Sequence, residues 1–248
     1  MSDIFYAFLI AFTFLLAIPV KIKESNITDK RIKLSFYFYP IIGLLFGLLN
    51  YAVIKLFYFV DLFLLSVIIL SGPLVFSKAL HFDGLLDFFD AFLPYNRTKE
   101  QRLAILKDYS IGAYAFTFGL LFILFKLALV NILLKEKLYF LFVLVPLLSR
   151  FSIIAISYKA RYPRKEGASS FIVGKIGTKA ILVIVTETIS LAFGTIYLLK
   201  NRSEFYITTL ILILTTVAIT MLIKRYSYKK IDGITGDIIG ANVEICEV

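Results

Sequence analysis

The sequence predicts an all-α, polytopic integral membrane protein that folds as one domain over residues 1–248. Of the 248 residues, 60% are hydrophobic and 18% are charged, whereas a soluble domain has about 45–50% apolar and about 25% charged residues. One cysteine, 13 glycines and 6 prolines exclude a disulfide scaffold, a collagen-like chain and a disordered chain. A membrane protein is the class that remains.

Seven apolar stretches have the length of helical spans, which need about 20 residues each. They lack the alternation of polar and apolar residues that strands of a transmembrane barrel show. Helices are therefore predicted, because a helix satisfies its own backbone hydrogen bonds within lipid. No basic segment precedes the first stretch, as it would in a signal peptide, so we expect that stretch to remain as a span. The stretches are residues 4–20, 35–60, 61–80, 111–134, 138–158, 180–199 and 206–223.

Lysine and arginine are concentrated in alternate connecting segments. Segments 21–33, 78–110, 159–179 and 224–230 hold 5, 5, 6 and 4 of these residues. Basic loops stay on the cytoplasmic side. The pattern therefore predicts a multi-pass protein of the cytoplasmic membrane, with its N-terminus outside and its C-terminus in the cytoplasm. We expect no nucleic-acid binding, because the basic residues are divided among membrane-bounded segments.

A stripe of aspartates follows the third predicted span. Asp83, Asp87 and Asp90 are spaced at i, i+4 and i+7 and would share one face of a short interfacial helix. Like charges on one face repel each other, and a cation would relieve the repulsion. Mg²⁺ prefers oxygen ligands of this kind, so the stripe predicts a Mg²⁺ site. The alternative is an ordinary amphipathic helix whose aspartates face water.

Two further acidic motifs lie on the same predicted side of the membrane. Asp108 follows Lys107 where the chain re-enters the membrane, and it is either another metal ligand or a carboxylate at a helix N-terminus. Asp237 and Glu244 share a predicted helix face with Gly240 between them. Small residues there would let another helix or a ligand approach closely. The alternative is a glycine-rich turn followed by a frayed terminal helix.

Cationic residues provide candidate phosphate ligands. Arg161, Arg164, Lys165 and Lys175 cluster with glycines between the fifth and sixth predicted spans. Arginine can bind phosphate through two parallel hydrogen bonds, although the positive-inside rule also predicts such charges. Arg150 lies within an apolar stretch, where an arginine is costly and is a functional candidate. It would pair with an aspartate, contact a phosphate or extend to the interface.

Three other ionisable residues stand out. Lys126 lies deep in the fourth predicted span, and Glu187 in the sixth is a candidate partner, although no sequence feature places the two together. His81 is the only histidine, so a histidine-based metal site is excluded. Beside Asp83, His81 is a candidate base or phosphate contact.

Carboxylates and cations on one predicted face indicate Mg²⁺-assisted chemistry on a phosphate or diphosphate. The competing class is a cation transporter in which Lys126, Arg150 and Glu187 form a relay. Transporters commonly place their sites near the membrane midplane between internal repeats, and no convincing repeat is found here. A passive scaffold leaves the aspartate stripe unexplained.

The chain resembles the cobalamin synthase family from its first span to residue 248. Each of five stretches is a weak signal alone, but their order is that of the family. The sequence has Ala17 where the family usually has arginine, Phe82 where it has leucine, and Ala91 and Ala115 where it has glycine. The five stretches are Phe14–Val20; His81–Asp87 through Asp90; Lys107-Asp108 with Gly112; Ser149-Arg150 with Arg161-Tyr162, Glu166-Gly167 and Gly174-Lys175; and Thr235–Asp237 with Gly240-Ala241 and Glu244.

The resemblance implies an enzyme that completes the nucleotide loop of cobalamin. Adenosylcobinamide-GDP, a corrinoid-GDP, would react with α-ribazole or its 5′-phosphate and release GMP, with Mg²⁺ as the cofactor. Another membrane phosphotransferase of the CDP-alcohol type is the alternative. The resemblance leaves the oligomeric state open, a homo-oligomer included.

The motifs and the resemblance together give each candidate residue a role. Asp90 or His81 would be the general base, provided that it is free of metal, because a metal-bound carboxylate is a poor base. The metal ligands would be Asp83, Asp87, Asp90, Asp108, Asp237 and Glu244. The substrate-binding residues would be Lys107, Arg150, Arg161, Arg164, Lys175 and Thr235.

Overall fold

The computed structural model describes residues 2–16, 20–108, 110–167, 169–199 and 204–248. Ala17, one of the departures from the family pattern, lies outside these residues. Within them the regular structure is helical, with eleven α-helices and a short 3₁₀ turn at Glu24–Asn26. The helices are α1 Asp3–Leu16, α2 Asp29–Ser35, α3 Phe38–Leu56, α4 Leu62–Phe76, α5 Leu80–Phe92, α6 Lys99–Ile105, α7 Ala113–Lys135, α8 Leu141–Ser157, α9 Thr178–Leu198, α10 Glu204–Ile231 and α11 Gly236–Cys246.

The seven predicted apolar stretches coincide with helices α1, α3, α4, α7, α8, α9 and α10. Four of these, α3, α7, α9 and α10, are long and apolar enough to cross a membrane. α4 passes the same test only together with α5, and the two are bent by 88°. The polytopic helical membrane fold is therefore confirmed, whereas the count of seven spans does not follow from these lengths.

α8 forms the centre of the bundle, since 14 of its 17 residues are buried. A helix that is apolar on all sides is expected to be buried in this way. α3 packs directly against its backbone. A Cβ on Gly43 would lie 2.4 Å from the carbonyl oxygen of Pro146, and one on Gly47 would lie 2.5 Å from that of Val143. Glycine at both positions permits this close approach.

Three of the basic segments meet at one end of the bundle. There Lys99 of α6 pairs with Asp232, which follows α10, and Arg164 donates a hydrogen bond to the Leu103 carbonyl. At the other end, the Phe140 ring lies 4.3 Å from that of Phe205. The structure thus separates the segments as the charge pattern predicts. We call the end formed by segments 78–110 and 159–179 and by residues 224–232 the basic end.

α1 makes contacts at both of its ends that the predicted topology does not anticipate. Near its start, Asp3 pairs with Lys30 at 2.6 Å and with Arg31 at 2.9 Å. Near its end, the Phe14 ring lies 5.0 Å from that of Phe171 in segment 159–179. Both ends of α1 therefore contact basic segments, and its 14 residues extend only about 21 Å.

These contacts count against a crossing by residues 4–20, and the predicted span and the N-terminus outside stay predictions. Hydropathy does not distinguish a crossing helix from an apolar helix that packs at one end. Which end faces the cytoplasm stays a prediction.

The two helices that carry most of the acidic motifs differ in burial. α5 turns away from α4 by 88°, and we assign it to the interface outside the long spans. α11 lies inside the bundle, packed against α5, α8 and α10, and every residue from Ile238 to Glu244 is buried. α11 is therefore more enclosed than the predicted short interfacial helices, because its small and apolar residues are covered by three neighbouring helices.

Candidate active site

The crossing of α5 and α11 builds the site. A Cβ on Gly84 would lie 2.8 Å from the carbonyl oxygen of Asp237, and one on Gly240 would lie 2.9 Å from that of His81. Glycine on each helix therefore brings the two backbones into contact. The expectation that small residues near Asp237 allow a helix to approach is confirmed, and the approach sets Asp237 beside the aspartate stripe of α5.

One cavity of about 410 Å³ collects five of the predicted metal ligands at the basic end. We call it the carboxylate cavity. Lys107 and Arg164, two of the predicted phosphate ligands, also lie on its wall. Four separate parts of the chain therefore meet around one space: α5, the residues that follow α6, the loop with Arg164, and α11. The five acidic residues are Asp83, Asp87, Asp90, Asp108 and Asp237.

Asp90 also fixes the start of α7. Its Oδ2 accepts a hydrogen bond from the Gly112 N–H at 2.7 Å, and its Oδ1 accepts one from the Ala115 N–H at 2.9 Å. Both carboxylate oxygens thus satisfy donors that a helix start leaves without partners. A Cβ on Gly112 would lie 2.6 Å from Oδ1, so glycine is needed there. Sequence reasoning did not anticipate this capping role.

Three other carboxylates of the cavity differ in their surroundings, and their pKa values shift in different directions. Burial and the neighbouring carboxylates, that of Asp237 foremost, raise the pKa of Asp87 to about 7. Burial also raises the pKa of Asp237, although the Arg164 guanidinium lies 3.8 Å from its Oδ2. At the exposed rim, a hydrogen bond from the Ser110 N–H lowers the pKa of Asp108. The cavity wall therefore holds more negative charge than its own cations neutralise.

The donor set fits Mg²⁺ in type. Every acidic group on the cavity wall is an aspartate, and Mg²⁺ is usually held by one or two carboxylates together with water and substrate phosphates. In the described part of the chain, no group of three His, Cys, Asp or Glu side chains is arranged to hold a metal ion. An ion in this cavity would therefore depend on water and phosphate oxygens for its remaining ligands.

A buried ion cluster lies deeper in the bundle, and we call it the clasp. Lys126 of α7 pairs with Glu244 at 2.7 Å and with Glu247 at 2.6 Å. Arg150 of α8 also pairs with Glu247, which accepts a further hydrogen bond from Ser149. Two cations and two carboxylates thus neutralise each other away from water, and they join the end of α11 to α7 and α8.

The family model for cobalamin-5-phosphate synthase matches residues 7–248. The chain belongs to the cobalamin-5-phosphate synthase family. Relatives named adenosylcobinamide-GDP ribazoletransferase are similar over nearly their whole length. The protein of Clostridioides difficile strain 630 is 30% identical over 97% of this chain and 93% of its own.

Two further relatives of that name support this membership. The protein of Alkaliphilus oremlandii is 33% identical over 96% of this chain and 92% of its own. The protein of Thermodesulfovibrio yellowstonii is 30% identical over 97% of this chain and 92% of its own. No solved structure matches the chain.

Six of the predicted site residues do not line the carboxylate cavity of this family member. Glu244 and Arg150 belong to the clasp. His81 is buried, and its Nε2 has no hydrogen-bond partner among the described residues. The other three, Thr235, Arg161 and Lys175, lie at the basic end.

Those three residues have separate surroundings. The buried Thr235 precedes α11, and its hydroxyl donates a hydrogen bond to Asp237 Oδ2 at 3.1 Å. Arg161 Nε donates one to the Asp232 carbonyl at 3.2 Å. Lys175 is exposed. Thr235 thus orients a cavity aspartate, whereas Arg161 and Lys175 are not among the described residues that line the cavity.

Sequence reasoning missed Glu247, which contacts both cations of the clasp. Its signal was available, since Lys126 and Arg150 in apolar stretches require carboxylate partners. Glu247 also follows Glu244 by three residues, which places the two on neighbouring positions of a helix face. The proposed pairing of Lys126 with Glu187 is wrong, because α11 enters the bundle and supplies both partners.

Proposed function

We propose that this protein catalyses the adenosylcobinamide-GDP ribazoletransferase reaction. A hydroxyl of α-ribazole or α-ribazole 5′-phosphate would attack the phosphorus attached to the corrinoid side chain. A new P–O bond forms, the bridging P–O bond to GMP breaks, and the hydroxyl proton passes to a base. The product would be adenosylcobalamin or its phosphate. The observation that supports this best is the carboxylate cavity, in which motifs of the family meet with two cations on the wall.

The chain's own residues suit a diphosphate substrate. Arg164 can offer a planar guanidinium to phosphate oxygens, and its Nε has no hydrogen-bond partner among the described residues. Lys107 adds a second cation on the exposed wall. Together they would hold the substrate's phosphates against the aspartates of α5 and α11.

One or two of the carboxylates of Asp83, Asp87 and Asp237, with Asp108 at the rim, would hold Mg²⁺ together with water and substrate phosphate oxygens. When bound, Mg²⁺ would neutralise phosphate oxygens and stabilise the departing GMP. Of the two proposed bases only Asp90 lines the cavity, and both of its oxygens already accept backbone hydrogen bonds. Asp90 is therefore the better-placed base of the two, and its role as α7 cap restricts its movement.

The charge asymmetry supports a location in the cytoplasmic membrane, with the carboxylate cavity at the cytoplasmic face. The transporter alternative loses its relay, because Lys126 and Arg150 are paired within the clasp. Another phosphotransferase of the CDP-alcohol type would use the same cavity chemistry, but its donor would be a CDP-alcohol that releases CMP, and its acceptor would differ as well. Donor and acceptor must therefore both be tested.

The test is GMP release by the detergent-purified protein. Adenosylcobinamide-GDP and α-ribazole 5′-phosphate are supplied together and singly, with Mg²⁺ and then with EDTA. We expect GMP only when both substrates and the metal are present. CMP release from a CDP-alcohol, without GMP release from adenosylcobinamide-GDP, would favour the second phosphotransferase. No GMP from folded protein with any acceptor would overturn the proposal.

A further inference from the structure

A second cleft adjoins the carboxylate cavity at the basic end. It has a volume of about 700 Å³, and we call it the α6 cleft because Leu103 and Ala104 of α6 form its apolar wall. Lys107 and Arg164 line both spaces. One extended ligand could therefore lie in both, with its charged middle at the two shared cations. The volume is in the range of small-molecule sites.

The lining of the α6 cleft combines three kinds of chemistry. Lys165 joins the two shared cations and makes this side suitable for phosphate. Leu103 and Ala104 offer an apolar surface to a flat ring. Glu100 and Glu166 are carboxylates on the same wall. They would repel a phosphate, so a part of the ligand that donates hydrogen bonds would have to lie beside them.

Glu166 is the carboxylate best placed for a ligand. The carboxylate of Glu100 accepts hydrogen bonds from its own backbone and from Thr98, which lowers its pKa and ties it to the start of α6. Glu166 is exposed on the cleft wall. The next residue, Gly167, lies against the Tyr162 hydroxyl, and a side chain at residue 167 would require Tyr162 to move.

Guanine matches this arrangement. Its Watson–Crick edge presents two adjacent donors, N1–H and the N2 amino group, and an ionised carboxylate accepts hydrogen bonds with both of its oxygens. Adenine has an acceptor at N1 and would face the carboxylate unfavourably. Glu166-Gly167, one of the motifs that carry the family resemblance, has no part in the metal and phosphate sites proposed above, and a guanine-reading position would give it one.

We propose that the α6 cleft binds the guanosine monophosphate half of the diphosphate substrate, with Glu166 reading guanine and Lys165 holding its phosphate. This inference rests on the proposed function, since it assigns the leaving nucleotide to one side of Arg164 and Lys107. The corrinoid half then lies toward the carboxylate cavity.

The experiment compares GMP with AMP binding to the detergent-purified protein by isothermal titration calorimetry. We expect the wild-type protein to prefer GMP. Glu166→Gln keeps the shape of the side chain but has one acceptor and one donor group, so GMP affinity should fall by about tenfold to a hundredfold, with AMP affinity unchanged. Lys165→Met should weaken both nucleotides equally, because both carry the same phosphate.

Glu136→Gln is the matched control, because Glu136 lines a different pocket that also contains Phe205 at the opposite end. It should bind both nucleotides as the wild-type protein does. Thermal unfolding in detergent establishes that each variant is folded. An unchanged ratio of GMP to AMP affinity in Glu166→Gln would overturn the cleft assignment while leaving the transferase proposal intact. GMP preference in a protein that never releases GMP from the two substrates would overturn the transferase proposal alone.

Discussion

The carboxylate cavity and the clasp lie at the two ends of α11 and treat charge in opposite ways. In the cavity, five aspartates share one space with two cations, and the pKa of Asp87 is raised to about 7. In the clasp, two cations and two glutamates are paired at short distances and buried. The cavity therefore needs a ligand to balance its charge, whereas the clasp is balanced by itself.

This difference in charge balance indicates that the carboxylate cavity binds a ligand, whereas the clasp holds α11 in position. α11 contributes Asp237 to the cavity through its first turn and Glu244 to the clasp through its last turns. If the clasp opened, α11 could move and Asp237 would leave its place beside α5. We infer that Lys126, Arg150 and Glu247 are positioning residues, and that the charged side chains of the cavity contact the substrate directly.

The largest effect is expected in the cavity. Asp87→Asn removes a charge from the middle of the aspartate stripe and should reduce GMP release by at least about a hundredfold, as loss of a metal-site residue commonly does. The protein should remain folded, because the substitution preserves shape. Asp29→Asn, on the exposed first turn of α2, is the matched control and should retain activity. Activity of Asp87→Asn close to that of the wild-type protein would contradict the metal-site assignment.

The second prediction breaks the clasp. Lys126→Met leaves two buried glutamates opposite Arg150 alone, and loss of one partner of a buried pair costs about 3–5 kcal/mol. We expect α11 to loosen. Cys246, the only cysteine, reports this because it is half-buried at the end of α11, the helix that the clasp holds, and a thiol that becomes accessible reacts faster. Alkylation by N-ethylmaleimide should become at least about tenfold faster.

A double variant sharpens this test. Lys126→Met with Glu244→Gln leaves one cation and one carboxylate, Arg150 and Glu247, and should return Cys246 alkylation toward the wild-type rate. It also decides the role of Glu244. If Glu244 acts only in the clasp, GMP release recovers along with alkylation; if it is a metal ligand, GMP release stays low. Faster alkylation in the double than in the single variant would contradict charge balance as the basis of the clasp.

The third prediction concerns the crossing that links the two regions. Gly84→Ala would place a methyl group 2.8 Å from the Asp237 carbonyl oxygen, and overpacking of this kind costs about 1–3 kcal/mol. The thermal unfolding temperature and GMP release should both fall. Gly72→Ala in α4 is the matched control, since nothing lies within 4 Å of its added Cβ. Equal unfolding temperatures for the two variants would mean that α5 and α11 can move apart without loss of stability, which would contradict the tight crossing.

The smallest effect is expected at an exposed ion pair. Lys99 and Asp232 pair at the basic end with side chains that are 37% and 53% exposed. Pairs of this kind contribute about 1 kcal/mol or less, so Lys99→Met should leave Cys246 alkylation and GMP release near their wild-type values. A loss as large as that of Lys126→Met would show that burial is not what distinguishes the clasp.

Much of the site could be predicted because the spacing of its acidic residues along the chain shows which of them share a helix face. Asp83, Asp87 and Asp90 fall on one helix face by their separation along the chain, and all three line the cavity. The pairing of distant segments could not be predicted in the same way. Arg164 reaches the cavity while the neighbouring Arg161 contacts Asp232, and no local pattern separates the two.

The sequence by itself determined the helical membrane class, the acidic motifs and the suitability of their chemistry for a diphosphate. Tertiary structure alone decided that both ends of α1 contact basic segments and that α11 enters the bundle. Asp237 and Glu244 share a helix face, but seven residues separate them by about 10.5 Å along the axis, so one reaches the cavity and the other the clasp. The spacing of residues along a helix determines which face their side chains share. The partners of those side chains depend on which helices pack together, and glycines such as Gly84 and Gly240 permit that contact.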